Sequence, residues 1–389
     1  MILMRLLKKD VLGKKVIMSI VFLFIMLSAF LVAAGSNLIV ELSGAIDTLF
    51  SEARAPHFVQ MHAGPIDETE IESWAAARES VEAVQTVEMI TMDGSSLILD
   101  EERGPEENSI MDIGFVLQNE DFDFLLDTEN RIIRLAPGEI AVPLYYMQNR
   151  DISIGDTVRI SDLPFELELS VAAFLRDAQM NPSIVHSKRF LLHEADYTML
   201  RKHFQEREYL IEFLLSDPGE VDEFSDAYLS SGLPKRGPSV DHRLFKTLNA
   251  LTDGIVSAAV ILLSLLLMLI ALLCLRFTIL ATIEEDYREI GVMKAIGMHR
   301  RHIKRIYLSK YLVLAALAAV AGYLASKLLG RYFSQDMRLY LGSSQEGLMS
   351  LIVPLAAAAL IFILVSIACI LILRRIDRIG AVEALRVGN

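Results

Sequence analysis

Cysteine is nearly absent: the chain has two in 389 residues, Cys274 and Cys369, and each lies inside a long apolar run. No disulfide framework can therefore hold a domain together, and thiol usage says nothing about compartment. Signatures of catalysis are missing too. The only Gly-Lys pair, Gly13-Lys14, lacks an upstream glycine at phosphate-loop spacing and precedes an apolar run, which excludes ATP binding by that device. No His-Glu-x-x-His or Cys-x-x-Cys occurs, and the run from His193 has Tyr197 where a second histidine would stand. There is no Gly-x-Ser-x-Gly elbow. Acidic pairs such as Glu101-Glu102 and Glu284-Glu285 arise by chance where carboxylates are this common. The chain is expected not to be an enzyme and to need no cofactor.

Charge is also missing from four apolar stretches: Val16 to Val40, Gly254 to Leu275, Tyr311 to Ser326, and Gly347 to Leu373. An ionisable group at the middle of a span marks an ion or proton pathway, and none stands there. Together with the lack of inverted repeats, this argues against a secondary transporter. What is present in abundance is apolar surface: 53% of the residues are hydrophobic and the mean hydropathy is +0.41. A spanning helix needs about 20 apolar residues to cross roughly 30 Å of hydrocarbon. Three stretches suffice outright. The third is completed by Leu328 to Gly330 once Lys327 extends its stem to the interface. The first runs for 25 residues, beyond the ~7–15 of a signal peptide, so it is expected to be a retained anchor.

Lys and Arg gather near cytoplasmic membrane ends. Residues 1–15, the loop from Arg276 to Lys310 with eight basic and four acidic residues, and the tail after Leu373 are all net basic. Residues 41–250 hold 17 basic against 40 acidic side chains, a balance of -23, and the total of -13 leaves +10 for the rest. The overall acidity thus belongs to one solvated region and carries no message about nucleic acid.

The expected fold class is an integral membrane α-helical protein with four transmembrane helices and an inserted mixed α+β extracytoplasmic domain. A cytoplasmic segment covers 1–15, helices cross at 16–41, 251–275, 311–330 and 347–373, and the extracytoplasmic domain occupies 42–250. A cytoplasmic loop fills 276–310, a short extracytoplasmic loop 331–346, and a cytoplasmic tail 374–389. Within the domain, alternation predicts a strand from His57, a helix over Glu68 to Ser80, and a second strand from Val84. Asp93-Gly94 then predicts a hairpin turn, with the run from Ser95 to Leu99 returning. Residues 100–136, rich in Asp, Glu, Asn and Gly, read as an inserted subdomain or mobile loop away from the central core. Further on, a strand, short helix and Gly155-Asp156 turn are expected over 138–160, and a strand over Phe165 to Asp177. A helix near Glu194 to Gln205, a strand at Glu208 to Leu215 and a helix near Pro218 to Ser230 complete it.

Two apolar stripes, Leu42, Ala45, Ile46, Leu49 and Phe50 on one side and Leu244, Thr247, Leu248 and Leu251 on the other, continue the first two spans beyond the bilayer. They read equally as a force-transmitting stalk or as ordinary interfacial helices. In the 276–310 loop, Ile290, Met293 and Ile296 recur among Glu285, Arg288, Glu289 and Lys294, which describes a short amphipathic helix ended by Gly297. It suits either a membrane-surface helix or a plug docking into a cytoplasmic partner.

The run REIGVMKAIGMHRRHI, from Arg288 to Ile303, resembles the signature of FtsX/MacB-type ABC transporter permeases, an Arg-Glu-Ile-Gly element and a second glycine between the second and third spans. The closing IGAVEALRVGN resembles that family's tail, and residues 138–160 are similar to a segment of its outer domain. The resemblance implies a multi-pass subunit of the cytoplasmic (inner) membrane with both termini inside. It would work with a separate ABC ATPase subunit and a second permease module, as a homodimer or heterodimer among membrane lipid. ATP-driven motion would then act on the outer domain to export or extract a substrate. ATPase coupling falls to Arg288, Glu289, Ile290, Gly291, Met293, Lys294, Ile296 and Gly297. Alternatives are a regulatory protein that activates an extracellular cell-wall hydrolase, and an antimicrobial-peptide sensing or removal permease.

Overall fold

Apolar runs without water to bond must satisfy their own backbone, and a helix does so within one segment. The computed structural model describes residues 15–93, 97–99, 111–160, 167–204, 207–344 and 347–378. With the helices numbered along the chain, α1 (Lys15–Glu52), α6 (His242–Glu285), α8 (Arg300–Phe333) and α10 (Met349–Leu373) are the long ones. All four are long and apolar enough to cross a membrane. At ~1.5 Å per residue, the 38 residues of α1 and the 44 of α6 reach about 57 and 66 Å, roughly twice a hydrocarbon layer. Both helices therefore continue beyond any bilayer they cross.

The chain divides into two compact units: residues 1–41, 253–335 and 346–389 form the membrane unit, and 42–252 with 336–345 form the inserted domain. In the membrane unit, small residues bring helices to backbone contact, as packing in lipid demands. A Cβ on Gly322 of α8 would lie 2.5 Å from the Met26 carbonyl oxygen and 2.8 Å from the Ala29 Cβ of α1. Between α1 and α6, the Ser28 hydroxyl donates to the Ser264 carbonyl at 2.9 Å and the Ser264 hydroxyl returns to the Ser28 carbonyl at 2.9 Å. Ala29, Ala315, Ala318, Val365 and Cys369 are buried in the same unit, and so are the polar side chains of Asn37, Glu41, Ser257, Thr278, Thr282 and Lys310. Leu262, Leu266, Leu324 and Leu360 point outward, where lipid is their solvent.

The inserted domain is built on a ten-stranded mixed sheet among the described residues. Its strands are β1 (Phe58–Ala63), β2 (Val81–Asp93), β3 (Leu97–Ile98), β4 (Asp112–Val116), β5 (Glu139–Pro143), β6 (Thr157–Ile160), β7 (Leu167–Leu175), β8 (Ser187–Leu192), β9 (Arg207–Leu215) and β10 (Ser239–Asp241). The spatial order is β10-β1-β9-β2-β4-β8-β5-β7-β6-β3. β4 with β8 and β5 with β7 are parallel, and the other pairs antiparallel. Helices α2 (Glu68–Ala76), α3 (Leu144–Arg150), α4 (Glu194–Arg201) and α5 (Val221–Leu229) connect the strands. The Asp67 carboxylate starts α2 by accepting from the backbone of Thr69 and Glu70.

The structure corrects four expectations. Leu97–Ile98 pairs with β6 and not with β2, so the hairpin does not form; Gly94 to Ser96 lie outside the described residues. The 100–136 stretch supplies a central strand, since β4 sits between β2 and β8 with Phe115 and Val116 buried; residues 100–110 lie outside the described residues. The 331–346 connection contains a helix, α9 (Gln335–Leu341), whose Met337 and Leu341 are buried in the domain's core. Finally, the α1 stripe is buried as expected, but α6 turns Phe245 and Asn249 inward and leaves Leu244 and Leu251 exposed. Asn249 gains an acceptor by this rotation, its amide donating to the Ala178 carbonyl at 2.9 Å. The two helix ends are joined by Lys246 and Asp47 at 2.7 Å.

Candidate functional site

Between the second and third long helices lies α7 (Tyr287–Ala295). The Asp286 N–H still bonds the Thr282 carbonyl at 3.0 Å, and the Ile290 N–H returns to the Asp286 carbonyl at 2.9 Å, so one residue joins α6 to α7. The Asp286 carboxylate accepts from the Tyr307 hydroxyl of α8 at 2.8 Å, which holds this joint to the next helix. At the other end, the Gly297 N–H bonds the Lys294 carbonyl at 3.1 Å and the Met298 N–H bonds the Met293 carbonyl at 3.0 Å. These two bonds close a Schellman cap, and Gly297 takes the left-handed φ of 87° that such a cap needs.

The helix has two dissimilar faces. Ile290 is fully buried against Ile303 of α8 and Ile376, Gly291 is buried beside it, and Met293 packs onto the same cluster. Lys294 is also committed inward: its ammonium donates to the Ile376 carbonyl at 2.7 Å, while Lys304 of α8 reaches Asp377 at 2.7 Å. Partial burial, then the nearby Arg300, draws Lys294 below the usual lysine range. Both lysines thus fasten the turn Arg374–Arg378 that follows α10. On the opposite face, Arg288, Glu289, Val292 and Ala295 are exposed and Ile296 is 73% exposed. Arg300, Arg301 and Arg305 of α8 extend this face as a basic margin.

The eight sequence-nominated residues therefore split. Arg288, Glu289, Ile296 and Gly297 lie on the open side, whereas Ile290, Gly291, Met293 and Lys294 serve the unit's interior. A recurrence of three mixed the faces, because at ~100° per residue Ile296 stands about 120° around the helix from Ile290. Val292 and Ala295 escaped notice; the spacing 288, 292, 295 and 296 carries the signal that finds them.

A second candidate site lies in the inserted domain, an open cleft of about 640 Å³ at the end of β8. Its walls are the segments 117–120 and 132–135, its floor includes Phe124, Ile133 and Leu191, and Glu120, Arg134 and Glu194 stand at its edge. The Gln118 side chain braces one wall by pairing with the Leu125 backbone, donating at 2.8 Å and accepting at 3.0 Å. Among the described residues no group of three or more His, Cys, Asp or Glu is placed to hold a metal ion.

These features fall within a recognisable sequence neighbourhood. No curated protein matches the sequence. Residues 261–380, running from the second long helix through α7, α8 and α10, match the family described as FtsX-like permease C-terminal. Over that segment the chain is similar to FtsX-like permeases, and it carries four long helices with a mixed sheet domain inserted between the first two.

Proposed function

We propose that the chain is the membrane subunit of an ABC transporter, driven by ATP hydrolysis in a separate subunit that grips the exposed face of α7. The observation that carries this reading is the division of α7 into a face locked into the membrane unit and a face offered to solvent. A partner holding Val292 and Ile296 in an apolar groove, with acidic residues opposite Arg288, Arg300 and Arg301, would pull on a helix that cannot slip. Ile290, Lys294 and the Asp286 joint would hand that pull to α6, α8 and the end of α10. In this reading both termini and α7 lie inside the cell, and the inserted domain outside. With no charge at the middle of any span, the work falls on a substrate at the outer face, by export or extraction, and the cleft beside β8 is the place to engage it. A second reading rests on the same lack of mid-span charge: the domain moves to activate an extracellular protein such as a wall hydrolase, and nothing is transported.

The test is co-expression with the cognate ATPase. Val292→Asp with Ile296→Asp should reduce co-purification at least tenfold while the chain's thermal midpoint stays put. Ile290→Asp, by contrast, places a charge in the core and should cost on the order of 4 kcal/mol of stability. Unchanged co-purification and ATPase rate in the Val292/Ile296 variant would remove the assignment.

A further inference from the structure

The connection between the third and fourth long helices enters the inserted domain and is fastened there. Ser334 is fully buried and is the single residue between α8 and α9. In the seven residues of α9 the Arg338 carbonyl accepts from the Gly342 N–H at 3.0 Å, and the last carbonyls of so short a helix have room for further donors. The domain supplies them. Arg176, at the end of β7 and 3% exposed, donates from Nη2 to the Arg338 carbonyl at 3.0 Å and from Nε to the Leu339 carbonyl at 2.9 Å. Its Nη1 is held by the Asn130 side-chain oxygen at 2.6 Å. Asn181 donates to the Tyr340 carbonyl at 2.9 Å. Three consecutive carbonyls are thus capped by side chains from elsewhere in the domain, with a cation at the negative end of the helix.

The chain after α9 is shaped around the same guanidinium. Gly342 adopts φ 88°, and a Cβ there would lie 3.2 Å from Arg176 Nη1 and 3.1 Å from the Asn130 oxygen. Met337 and Leu341 are buried in one cluster with Leu126 and Ala178, the chain neighbours of this clasp. The backbone of Arg176 is itself paired in both directions with Leu126, at 2.7 and 3.2 Å. A clasp this deep is unnecessary for a tether, which a few polar residues would provide.

We infer that Arg176 is a positioning residue that latches α9 to the sheet, making the end of α8 a drive linkage to the inserted domain in addition to α1 and α6. A shift of α8 then reaches β7 through the guanidinium without passing along either of those helices. This inference rests on the proposed coupling of α7 to an ATPase.

The test has two readouts on the full chain in lipid discs. In Arg176→Gln, amide exchange over 337–343 should rise about tenfold while β9 and β2 keep their protection; Asn181→Ala, which removes one bond only, should raise it less. With the cognate ATPase bound, the variants should hydrolyse ATP at the wild-type rate yet lose the ATP-dependent change in inserted-domain exchange. Unaltered exchange over 337–343 would overturn the latch. Faster exchange there with a full ATP response would overturn its drive role. A wild type that shows no ATP response would overturn that role together with the coupling reading, leaving the latch itself to stand on the first readout.

Discussion

Arg189, 1% exposed in the middle of β8, stands among three buried carboxylates. It pairs with Asp123 at 2.6 Å and doubly with Asp177, at 2.7 and 2.5 Å, and Glu212 of β9 lies 3.8 Å away. Removing the guanidinium would strand buried anions, so Arg189→Ala should cost about 3–5 kcal/mol. Glu212 behaves differently from its neighbours. Burial, followed by the Asp123 charge, pushes its carboxyl well above the usual 4.5 against the pull of Arg189. A carboxyl raised in the folded state contributes stability that is complete below about 4.5 and is lost as pH rises through the folded value. Glu212→Gln removes the ionisation, and Gln179 can turn its unpartnered Oε1 to accept from the new amide. The variant should gain about 3 °C in thermal midpoint at pH 7 to 9 and lose the downward slope with pH. A lower midpoint at every pH would refute the upward shift of the Glu212 carboxyl. The same residues explain why β8 was not readable: Ser187, Lys188 and Arg189 look like a solvated run, yet Lys188 is 1% exposed, its ammonium donating to the Met180 and Pro182 carbonyls. Only tertiary pairing makes such residues interior.

At the scale of elements, the long helices were readable because lipid imposes one rule on every residue, whereas the faces of the short helices depend on what covers them. The α6 extension shows the difference. Apolar spacing favoured Leu244 and Leu251, but the domain turned the helix towards Phe245 and Asn249 because it had a carbonyl to offer the amide. Strands were found where polar and apolar residues alternate, as in β1 and β7. They were missed where partners decide, as in β4 and the misassigned return of β3. Helix contacts yield a matched pair of tests on α8. Gly330→Ala would place a Cβ 3.9 Å from Asn37 Nδ2, an ordinary contact, and should stabilise by the ~1 kcal/mol that alanine gains over glycine in a helix. Gly322→Ala gains the same propensity but drives into the α1 backbone at 2.5 Å. Its thermal midpoint in detergent should therefore fall while that of the Gly330 variant rises. Equal effects would mean that α1 and α8 do not meet at Gly322.

For the whole molecule, orientation is the prediction on which the functional reading turns. Charge bias predicts the basic 276–310 loop inside and the 41–250 region, with its balance of -23, outside. The two native cysteines, one buried and one half-buried in long helices, leave a quiet background for labelling. A membrane-impermeant maleimide on intact cells should label Ser230→Cys, at the exposed end of α5, and reach Ile296→Cys only after permeabilisation. The opposite pattern would invert the proposed machine. Architecture and the likeness to FtsX-like permeases were legible from apolar runs and from Arg288 to Ile303, because those features are local. The role of 331–346 was not, since nothing within that stretch announces that Arg176, some 160 residues earlier, caps it. The paired hydroxyls of Ser28 and Ser264 have a last consequence. Apolar helices in lipid are free to roll about their axes, but a polar key seated in a polar keyway has one setting, and any other gives up both bonds between the helices. The first two long helices therefore turn together as a single shaft.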